Sequence, residues 1–414
     1  MKVISNLPEV EVSQQARPVV LVFVSFYLPG DKSGGPVRSI VNLVNQLSDE
    51  FDFRIITSDR DWMDSTPHKN IMVDDWNQVG KAQVFYLSPK NRSLRFIAQL
   101  LSDTQYDVLY VNSFFDRVFT QKPLWAMKLG LAPNKPMIIA PRGEFSPGAF
   151  SLKYWKKAPY TWISSRIGLY NQVIWHASTE YEANDIKSHL VPNNIQRVLI
   201  AVVIASDIAS DIASDIASDI VSDIVSDITT VNPLRIVFLS RITPKKNLDF
   251  ALKVLALVKV QVQFDIYGPV GEDDYWKICN TLMEKLPENV KAKYEGVLTH
   301  SEVVDIFSSH DLFFFPTHGE NYGHVIMESL LAGTPVLIAN TTPWKDLEMH
   351  GVGWELSLDN EKDFVDKINI AAQLSDKERK EQRRRVVLYA HKRVDDPDIL
   401  LANRQLFRSA LNVS

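Results

Sequence analysis

The sequence predicts an α/β protein with two doubly wound parallel-sheet domains. Apolar runs alternate with helical periodicity along most of the chain, which is typical of a parallel sheet covered by helices on both faces. The alternation forms two series separated by a repetitive segment, and 414 residues are enough for two or three domains that each bury a core. We place an N-terminal domain at residues 1–200, a connector at 201–232, a second domain at 233–396 and a last helical segment at 397–414.

Short apolar runs bounded by turn residues predict the strands of both sheets. In the N-terminal domain they lie at residues 19–26, 53–57, 84–87, 108–112, 137–140 and 173–176. In the second domain they lie at residues 234–240, 262–267, 292–294, 312–315 and 336–339. Two series of this kind predict two separate sheets.

A tetrapeptide repeat fills the connector between the two series. Ile-Ala-Ser-Asp occurs four times and Ile-Val-Ser-Asp twice, over residues 204–227. A period of four drifts by about 40° per repeat on a helix that turns 100° per residue, so the isoleucines form no fixed stripe. We interpret the tract as a low-complexity insertion without a catalytic role. The alternative, a helix that recruits a partner, stays open.

Composition and charge indicate a globular protein that does not bind nucleic acid. The net charge is -5, and six aspartates lie in the repeat, so the remainder is near neutral and gives no electrostatic case for nucleic-acid binding. The single cysteine, Cys279, has no partner for an internal disulfide, which fits a reducing compartment. Neither a signal peptide nor an apolar stretch of membrane-spanning length is recognisable. We therefore expect a cytoplasmic protein, with the inner face of the membrane left open as its location.

The most informative segment is residues 313–336, which contains Glu320 and Glu328. An apolar run that breaks at a proline and a glycine and then resumes at helical spacing predicts a strand, a tight loop and a helix starting near Gly323. The backbone N–H groups of Tyr322, Gly323 and His324 and the positive end of that helix suit an anion. The two glutamates can accept hydrogen bonds from sugar hydroxyls. Phosphate and hydroxyls together indicate a nucleotide sugar.

This segment resembles the signature of two glutamates separated by seven residues in the retaining glycosyltransferases of family 4, among the group 1 glycosyl transferases. The likeness includes the Gly-Thr-Pro-Val at residues 333–336. The resemblance implies the GT-B fold, in which two Rossmann-like domains face a central cleft and the last helix packs back on the N-terminal, acceptor-side domain. It also assigns Glu320 to the donor sugar and Glu328 to the ribose.

The resemblance further implies the reaction and its partners. A sugar would pass from a nucleotide-sugar donor to a hydroxyl of a carbohydrate or lipid-linked saccharide acceptor, with retention of anomeric configuration. The setting would be the biosynthesis of a surface polysaccharide, a lipopolysaccharide or another glycolipid. Two alternatives are a sugar-nucleotide epimerase of the same fold and a non-catalytic nucleotide-sugar-binding subunit.

Two cations follow the first strand of the second domain. Arg241 comes directly after the strand, and Lys246 lies five residues later, at the start of a predicted helix. Positive side chains at this position can neutralise a leaving phosphate. The segment resembles the family's Gly-Arg-Leu, three residues, Lys-Gly element, with Ser240 and Asn247 in place of its glycines. Solvated surface cations are the alternative interpretation.

Glycines at the ends of two strands are further candidates for donor binding. Gly34 and Gly35 lie in the first strand-to-helix loop, where the family has a Gly-Gly pair that touches the donor, and Gly268 ends a strand before a proline. Glycine allows a ligand to approach the backbone closely. Glycines in turns that bind no ligand would occur at the same positions, so this alternative stays open.

The acceptor side is the least determined part of the site. Arg142 and Glu144 follow a predicted strand where many relatives have a histidine, so the acceptor contacts stay open. His176 resembles a strand end of the family, although a histidine there is more often structural.

Two further patterns admit other interpretations. Asp59-Arg-Asp61 matches a metal-binding pattern of another glycosyltransferase fold, but three residues match by chance, and we predict no required metal or other cofactor. Bases and aromatics alternate over residues 153–166 and suit single-stranded nucleic acid, a peripheral membrane contact or a solvated helix. We favour the membrane contact over nucleic acid because lipid-linked acceptors are common among relatives.

Overall fold

The structure is a computed structural model of the chain, and it describes residues 16–30, 35–151, 153–190, 197–201 and 233–412. The tetrapeptide repeat, almost all of the predicted connector, and Gly34 lie outside the described residues. No helix within the described ranges combines the length and the apolar character that crossing a lipid bilayer requires.

The N-terminal domain contains a sheet with the strand order β3-β4-β2-β1-β5-β6-β7-β8. Neighbouring strands are parallel except β3, which pairs antiparallel with β4 at one edge. The strands are β1 (Val19–Val24), β2 (Asp52–Ser58), β3 (Trp76–Val79), β4 (Ala82–Leu87), β5 (Val108–Asn112), β6 (Met137–Ala140), β7 (Val173–Ala177) and β8 (Arg197–Ile200).

Helices cover both faces of this sheet, and each face has its own apolar core. The interior strands point apolar side chains to both sides, which explains their continuous hydrophobic runs. The helices are α1 (Gly35–Leu47), α2 (Leu94–Asp103), α3 (Lys122–Lys128), α4 (Pro147–Ser151), α5 (Tyr154–Arg166) and α6 (Glu180–His189).

The second domain is a parallel sheet with the strand order β11-β10-β9-β12-β13-β14. Its strands are β9 (Leu234–Leu239), β10 (Val262–Tyr267), β11 (Val290–Gly296), β12 (Leu312–Phe315), β13 (Val336–Ala339) and β14 (Gly353–Leu356). Its helices are α7 (Leu248–Leu255), α8 (Asp273–Met283), α9 (His300–Ser308), α10 (His324–Leu331), α11 (Glu361–Gln373) and α12 (Asp376–Val394).

The last helix, α13 (Pro397–Leu411), leaves the second domain and packs against the first. Phe407 is fully buried there, with its ring 5.4 Å from Phe51 and 5.8 Å from Tyr110. Arg404 and Arg408 both pair with Glu50 at the end of α1. The chain therefore returns to its first domain through an apolar contact with charged groups at its rim.

Every predicted apolar run lies on a strand, whereas three strands escaped prediction: β3, β8 and β14. All three are edge strands of four residues. An edge strand has one neighbour and is covered less completely, so β3 and β14 need no continuous apolar run. β8 differs from them, because an uninterrupted apolar run does begin there, at residues 198–204, and the prediction overlooked it. The periodicity therefore predicted the interior of each sheet and missed three of the edges.

Phe407→Ala should destabilise the N-terminal domain by about 3–5 kcal/mol, because it leaves a cavity between α13 and the sheet. Leu401→Ala on the same helix is the control, since Leu401 is 48% exposed and its truncation should cost under about 1 kcal/mol. Urea unfolding followed by circular dichroism measures both. Equal midpoints for the two variants would contradict the packing of α13.

Candidate active site

The carboxyl ends of the strands of both sheets face each other across a cleft, which is where open α/β sheets bind ligands. A cavity of about 330 Å³ lies in this cleft. It brings together nine of the residues predicted from the sequence: Gly35, Arg142, Arg241, Lys246, Glu320, Tyr322, Gly323, His324 and Glu328.

The loop between β12 and α10 forms one wall of the cavity. Gly323 immediately precedes α10 with a φ of +83°, and a Cβ there would lie 2.9 Å from Ile326. A glycine is therefore required at this turn. The first N–H groups of α10, from His324 and Val325, have no carbonyl acceptor within the helix, and both residues line the cavity. This end of the helix can accept an anion.

The loop after β9 supplies three cations to the same cavity: Arg241, Lys245 and Lys246. Lys245 and Lys246 lie in a short 3₁₀ turn, and Asn247 follows with a φ of +63° before α7 begins. That left-handed conformation favours glycine, and asparagine is one of the few other residues that adopt it readily. Asn247 thus fits the position where the resembled family has glycine, and its Nδ2 donates to the Pro316 carbonyl at 2.9 Å.

One carboxylate faces these cations. Lys246 Nζ lies 2.5 Å from Glu320 Oε1, which also accepts a hydrogen bond from Thr317 Oγ1 at 3.0 Å. Burial lowers the pKa of Lys245 and of Arg241, and Glu320 only partly offsets that effect. The cluster therefore carries more positive than negative charge, and a bound polyanion would relieve the imbalance.

Glu328 lies deeper in the cavity, on α10. Burial raises its pKa, and Arg38 on α1 opposes that shift. A side chain from the other domain therefore offsets the effect of burial on this glutamate only in part. Arg38 was not singled out from the sequence, because one arginine on a predicted helix carries no signal of its own.

Contacts between single side chains hold the two walls of the cleft together. Asn321 Nδ2 donates to Ser178 Oγ at 3.1 Å, and Ser39 Oγ lies 2.9 Å from His324 Nε2. The Arg241 guanidinium lies over the Trp62 ring at 5.5 Å. The structure is therefore a closed form in which the donor wall touches the N-terminal domain.

His324 is neutral in this arrangement. Burial lowers its pKa to about 3, and the nearby Arg142 and Arg38 lower it further. A neutral ring accepts or donates one hydrogen bond to Ser39 without bringing another charge into the cleft.

The two candidates in the loop after β6 have different positions. Arg142 lines the cavity with a φ of +56°, and its guanidinium donates to Asn112 Oδ1 at 2.6 Å and to the Tyr110 hydroxyl at 2.7 Å. Glu144 lines neither cavity of the cleft. It accepts hydrogen bonds from Ser113 and from two backbone N–H groups, and burial raises its pKa. Glu144 therefore anchors the loop after β5.

His176 lies below the floor of the cleft and is fully buried. Its Nδ1 is 2.8 Å from the Tyr110 hydroxyl, and its Nε2 is 2.6 Å from the Ala201 carbonyl. Burial lowers its pKa to about 3. This geometry gives His176 no route to an acceptor, so the sequence-based hypothesis of an acceptor contact has no geometric support.

Gly268 also has a structural role. It has a φ of +129°, and a Cβ there would lie 1.9 Å from the Ser240 carbonyl oxygen. The close approach of the β9 and β10 ends thus requires glycine, and Gly268 lines neither cavity of the cleft. Of the glycines predicted to bind the donor, Gly35 and Gly323 line the cavity of about 330 Å³.

A second, larger cavity of about 970 Å³ adjoins the first and shares Arg241, Lys245 and Glu320 with it. The loop after β6, the start of α4 and the loop after β13 surround it. A substrate in this space would lie next to whatever occupies the first cavity.

The Asp59-Arg-Asp61 pattern lies outside both cavities. Asp59 pairs with Arg60 at 2.9 Å and with Arg92 at 3.8 Å. Within the described part of the chain, no group of three or more His, Cys, Asp or Glu side chains is arranged to hold a metal ion.

The buried state of His176 makes stability depend on pH. The folded protein keeps this ring neutral down to about pH 3, whereas the unfolded chain takes up the proton near its ordinary pKa of about 6.5, so stability falls as the pH drops below that value. Lowering the pH from 7.5 to 5.5 should therefore cost about 1.4 kcal/mol through His176 alone. Urea unfolding at both pH values should show a correspondingly smaller difference in His176→Asn.

His350→Asn is the matched control for that measurement, because His350 is exposed in the second domain. Its pH dependence should follow that of the unsubstituted protein. If His176→Asn lost as much unfolding free energy between pH 7.5 and 5.5 as the unsubstituted protein, that result would contradict the neutral, buried state of His176.

Comparisons with known proteins extend over both domains. Residues 227–393 match the family model described as glycosyl transferases group 1. An uncharacterized 41.2 kDa protein in the cps region of Klebsiella pneumoniae is 25% identical over 262 residues, which is 62% of this chain. The match spans 66% of that relative, just under two thirds of its length.

Solved structures resemble nearly the whole chain. Anabaena HepE in complex with UDP and glucose has a TM-score of 0.65 and 16% identity, covering 95% of this chain and 99% of HepE. WaaG, a glycosyltransferase involved in lipopolysaccharide biosynthesis, has a TM-score of 0.62 and 13% identity, with coverage of 95% and 99%. The matched second domain supports a place among the glycosyltransferases, and the structural likenesses show that the chain has the GT-B fold.

Proposed function

We propose that the protein transfers a sugar from a nucleoside diphosphate donor to a hydroxyl acceptor, with retention of anomeric configuration, as the family 4 enzymes do. One observation carries the proposal: Arg241, Lys245 and Lys246 converge with the start of α10 on a single cavity that has Glu320 at its edge. Three cations and a helix N-terminus suit a diphosphate, and the carboxylate suits sugar hydroxyls.

The donor occupies the smaller cavity. Its diphosphate lies between the cations and the first N–H groups of α10, Glu328 receives the ribose hydroxyls, and Glu320 receives those of the sugar. The ion pair with Lys246 holds Glu320 in position before the donor arrives. The uridine nucleotides in the HepE structures make UDP-sugars the first donors to test.

The charges of the site act on the leaving group. When the bond between the anomeric carbon and the phosphate oxygen breaks, the diphosphate keeps the electron pair and its negative charge grows. Arg241, Lys246 and the helix end stabilise that charge most at the transition state, which lowers the barrier. The acceptor hydroxyl attacks from the face that the diphosphate leaves and passes its proton to the departing phosphate oxygen. No side chain is assigned as a covalent nucleophile.

The acceptor occupies the larger cavity, which shares Arg241 and Glu320 with the donor cavity. Its volume suits a carbohydrate or the saccharide part of a lipid-linked acceptor. The cps region of the Klebsiella relative and the pathway of WaaG support surface polysaccharide or glycolipid assembly. We propose that the reaction takes place at the cytoplasmic face of a membrane.

Arg241→Ala and Glu320→Ala should each lower the transfer rate by roughly 10²–10³-fold while the melting temperature stays nearly unchanged. A panel of nucleotide sugars is first screened for thermal stabilisation, and the selected donor is then used with radiolabelled sugar and candidate acceptors. Lys362→Ala, an exposed change on α11, is the control. Full transfer by either site variant would contradict the assignment.

The same assay separates the alternatives. Transfer should persist in excess EDTA, since no metal is assigned to the reaction. An isomerised nucleotide sugar formed without acceptor would indicate an epimerase, and donor binding without transfer or hydrolysis would indicate a non-catalytic subunit. The anomeric coupling constant of the product, read by NMR, tests retention.

A further inference from the structure

Helix α5 exposes large apolar residues and buries hydroxyl side chains, which is unusual for a helix on a water-exposed surface. Its buried residues are Thr161, Ser164 and Ser165. Its exposed residues include Trp155 and Trp162, which are 72% and 58% exposed. Surface helices normally bury their large apolar residues and expose their hydroxyls. On this helix Tyr160 packs against the core, whereas both tryptophans face outward.

The buried hydroxyls show how this orientation is stabilised. Thr161 Oγ1 donates to the Lys157 carbonyl at 2.9 Å, and Ser164 Oγ donates to the Tyr160 carbonyl at 2.6 Å. Small side chains that satisfy their hydrogen bonds within their own helix can face a core at little cost. The exposed tryptophans therefore lie on a well-packed helix and are available to a partner.

The apolar surface continues beyond α5. Lys128 Nζ lies 3.5 Å from the Gly168 carbonyl, so the loop after α3 lies beside the end of α5. We define the α5 surface by its exposed apolar residues, between 41% and 72% accessible: Leu129, Leu131, Tyr154, Trp155, Trp162, Ile163 and Ile167. An exposed cluster of this kind marks an interaction site.

Positive charge is concentrated in the same part of the chain. Residues 117–179 contain nine lysines and arginines and a single acidic residue, Glu144, although the whole chain has a net charge of -5. Glu144 is held by internal hydrogen bonds. On α5, Lys156 Nζ lies 4.5 Å from the Trp155 ring centroid and the Arg166 guanidinium lies 4.6 Å from that of Trp162.

We propose that the α5 surface docks onto the interface of an anionic lipid bilayer. Tryptophan and tyrosine are favoured at the level of the lipid headgroups, and lysine and arginine beside them contact the lipid phosphates. The isoleucines and leucines of the surface enter the upper acyl region. An interfacial helix with this composition lies in the plane of the membrane.

Charge and side-chain chemistry favour a bilayer over other partners. A second copy of this chain would bring the same basic residues face to face across a two-fold axis, which is unfavourable. Single-stranded nucleic acid would use the aromatic rings, but the aliphatic residues Leu129, Leu131 and Ile163 have no stacking role. A bilayer uses the aromatic, aliphatic and basic residues together.

The position of the α5 surface connects it to the cleft. Helix α4 immediately precedes α5, and its first residues, Pro147 and Gly148, line the larger cavity. Docking would bring the mouth of that cavity to the bilayer, where a lipid-linked acceptor presents its sugar. Only this last step rests on the proposed transferase function, and the docking itself does not.

The test is co-sedimentation of the full chain with vesicles of phosphatidylcholine alone and with added phosphatidylglycerol, at low and high salt. We expect binding to the anionic vesicles that weakens with salt. Trp155→Ser with Trp162→Ser should lower the partition coefficient by roughly tenfold or more. Lys153→Glu with Lys156→Glu should lower it by at least roughly fivefold per residue.

Two matched double variants in the second domain are the controls. Met349→Ser with Leu388→Ser removes exposed apolar residues, and Lys362→Glu with Lys377→Glu reverses exposed charges. Both should bind like the unsubstituted protein. Circular dichroism and melting temperature establish that all variants are folded.

Three results would overturn the proposal. They are the absence of binding to anionic vesicles at low salt, unchanged binding by the α5 variants, and a concentration-dependent dimer that the tryptophan variants abolish. Binding of a single-stranded oligonucleotide in competition with the vesicles would assign the surface to nucleic acid instead. Glu320→Ala should bind vesicles normally, so a failure of docking is distinguishable from a failure of the proposed transfer reaction.

Discussion

The active-site geometry depends on the hydrogen bonds and the ion pair that connect two neighbouring loops, the one after β9 and the one after β12. Asn247 donates to the Pro316 carbonyl, the Lys245 carbonyl accepts from the His318 N–H at 2.9 Å, and Lys246 pairs with Glu320. Each contact joins a backbone or charged group of one loop to the other. Because β9 and β12 are adjacent strands, these contacts fix the cations relative to the start of α10 within one rigid sheet edge. A diphosphate that contacts both loops therefore meets a preorganised site.

The same two loops leave an excess of positive charge at the edge of the cavity, which a bound anion would neutralise. Three cations surround one carboxylate at the edge of the cavity, and the protein around them lowers the pKa of Arg241 and of Lys245. The N-terminal domain offers an aromatic ring at Trp62, which suits a guanidinium without neutralising it. Positive charge is thus retained in the closed cleft, where the surroundings make its attraction for an anion stronger than in water.

Sequence periodicity predicted the interior strands, and the family resemblance carried by the segments around Arg241, Lys246, Glu320 and Glu328 predicted four side chains of one cavity. Other parts depend on tertiary contacts that a local pattern does not contain. Lys245 belongs to the site although a lysine in a loop is unremarkable, and Arg38 of the other domain lines the same cavity as Glu328 and opposes the rise of its pKa. The burial of serine and threonine on α5 was also not predictable from the sequence. Their hydroxyls are hydrogen-bonded within the helix, and hydrophobic periodicity does not register such residues as buried.

The contacts across the cleft differ in strength from those that attach α13. The contacts across the cleft include two hydrogen bonds, from Asn321 and at His324, and the ring of Trp62, and such contacts contribute about 0.5–1.5 kcal/mol each. The apolar contact of Phe407 is stronger and lies on the first domain, behind the cleft. Phe407 on the last helix therefore contributes more to the attachment of the two domains than any one of these contacts at the site. A ligand that contacts both walls can shift the equilibrium between open and closed forms toward the closed form. The size of the shift equals the difference between the ligand's binding free energies for the two forms.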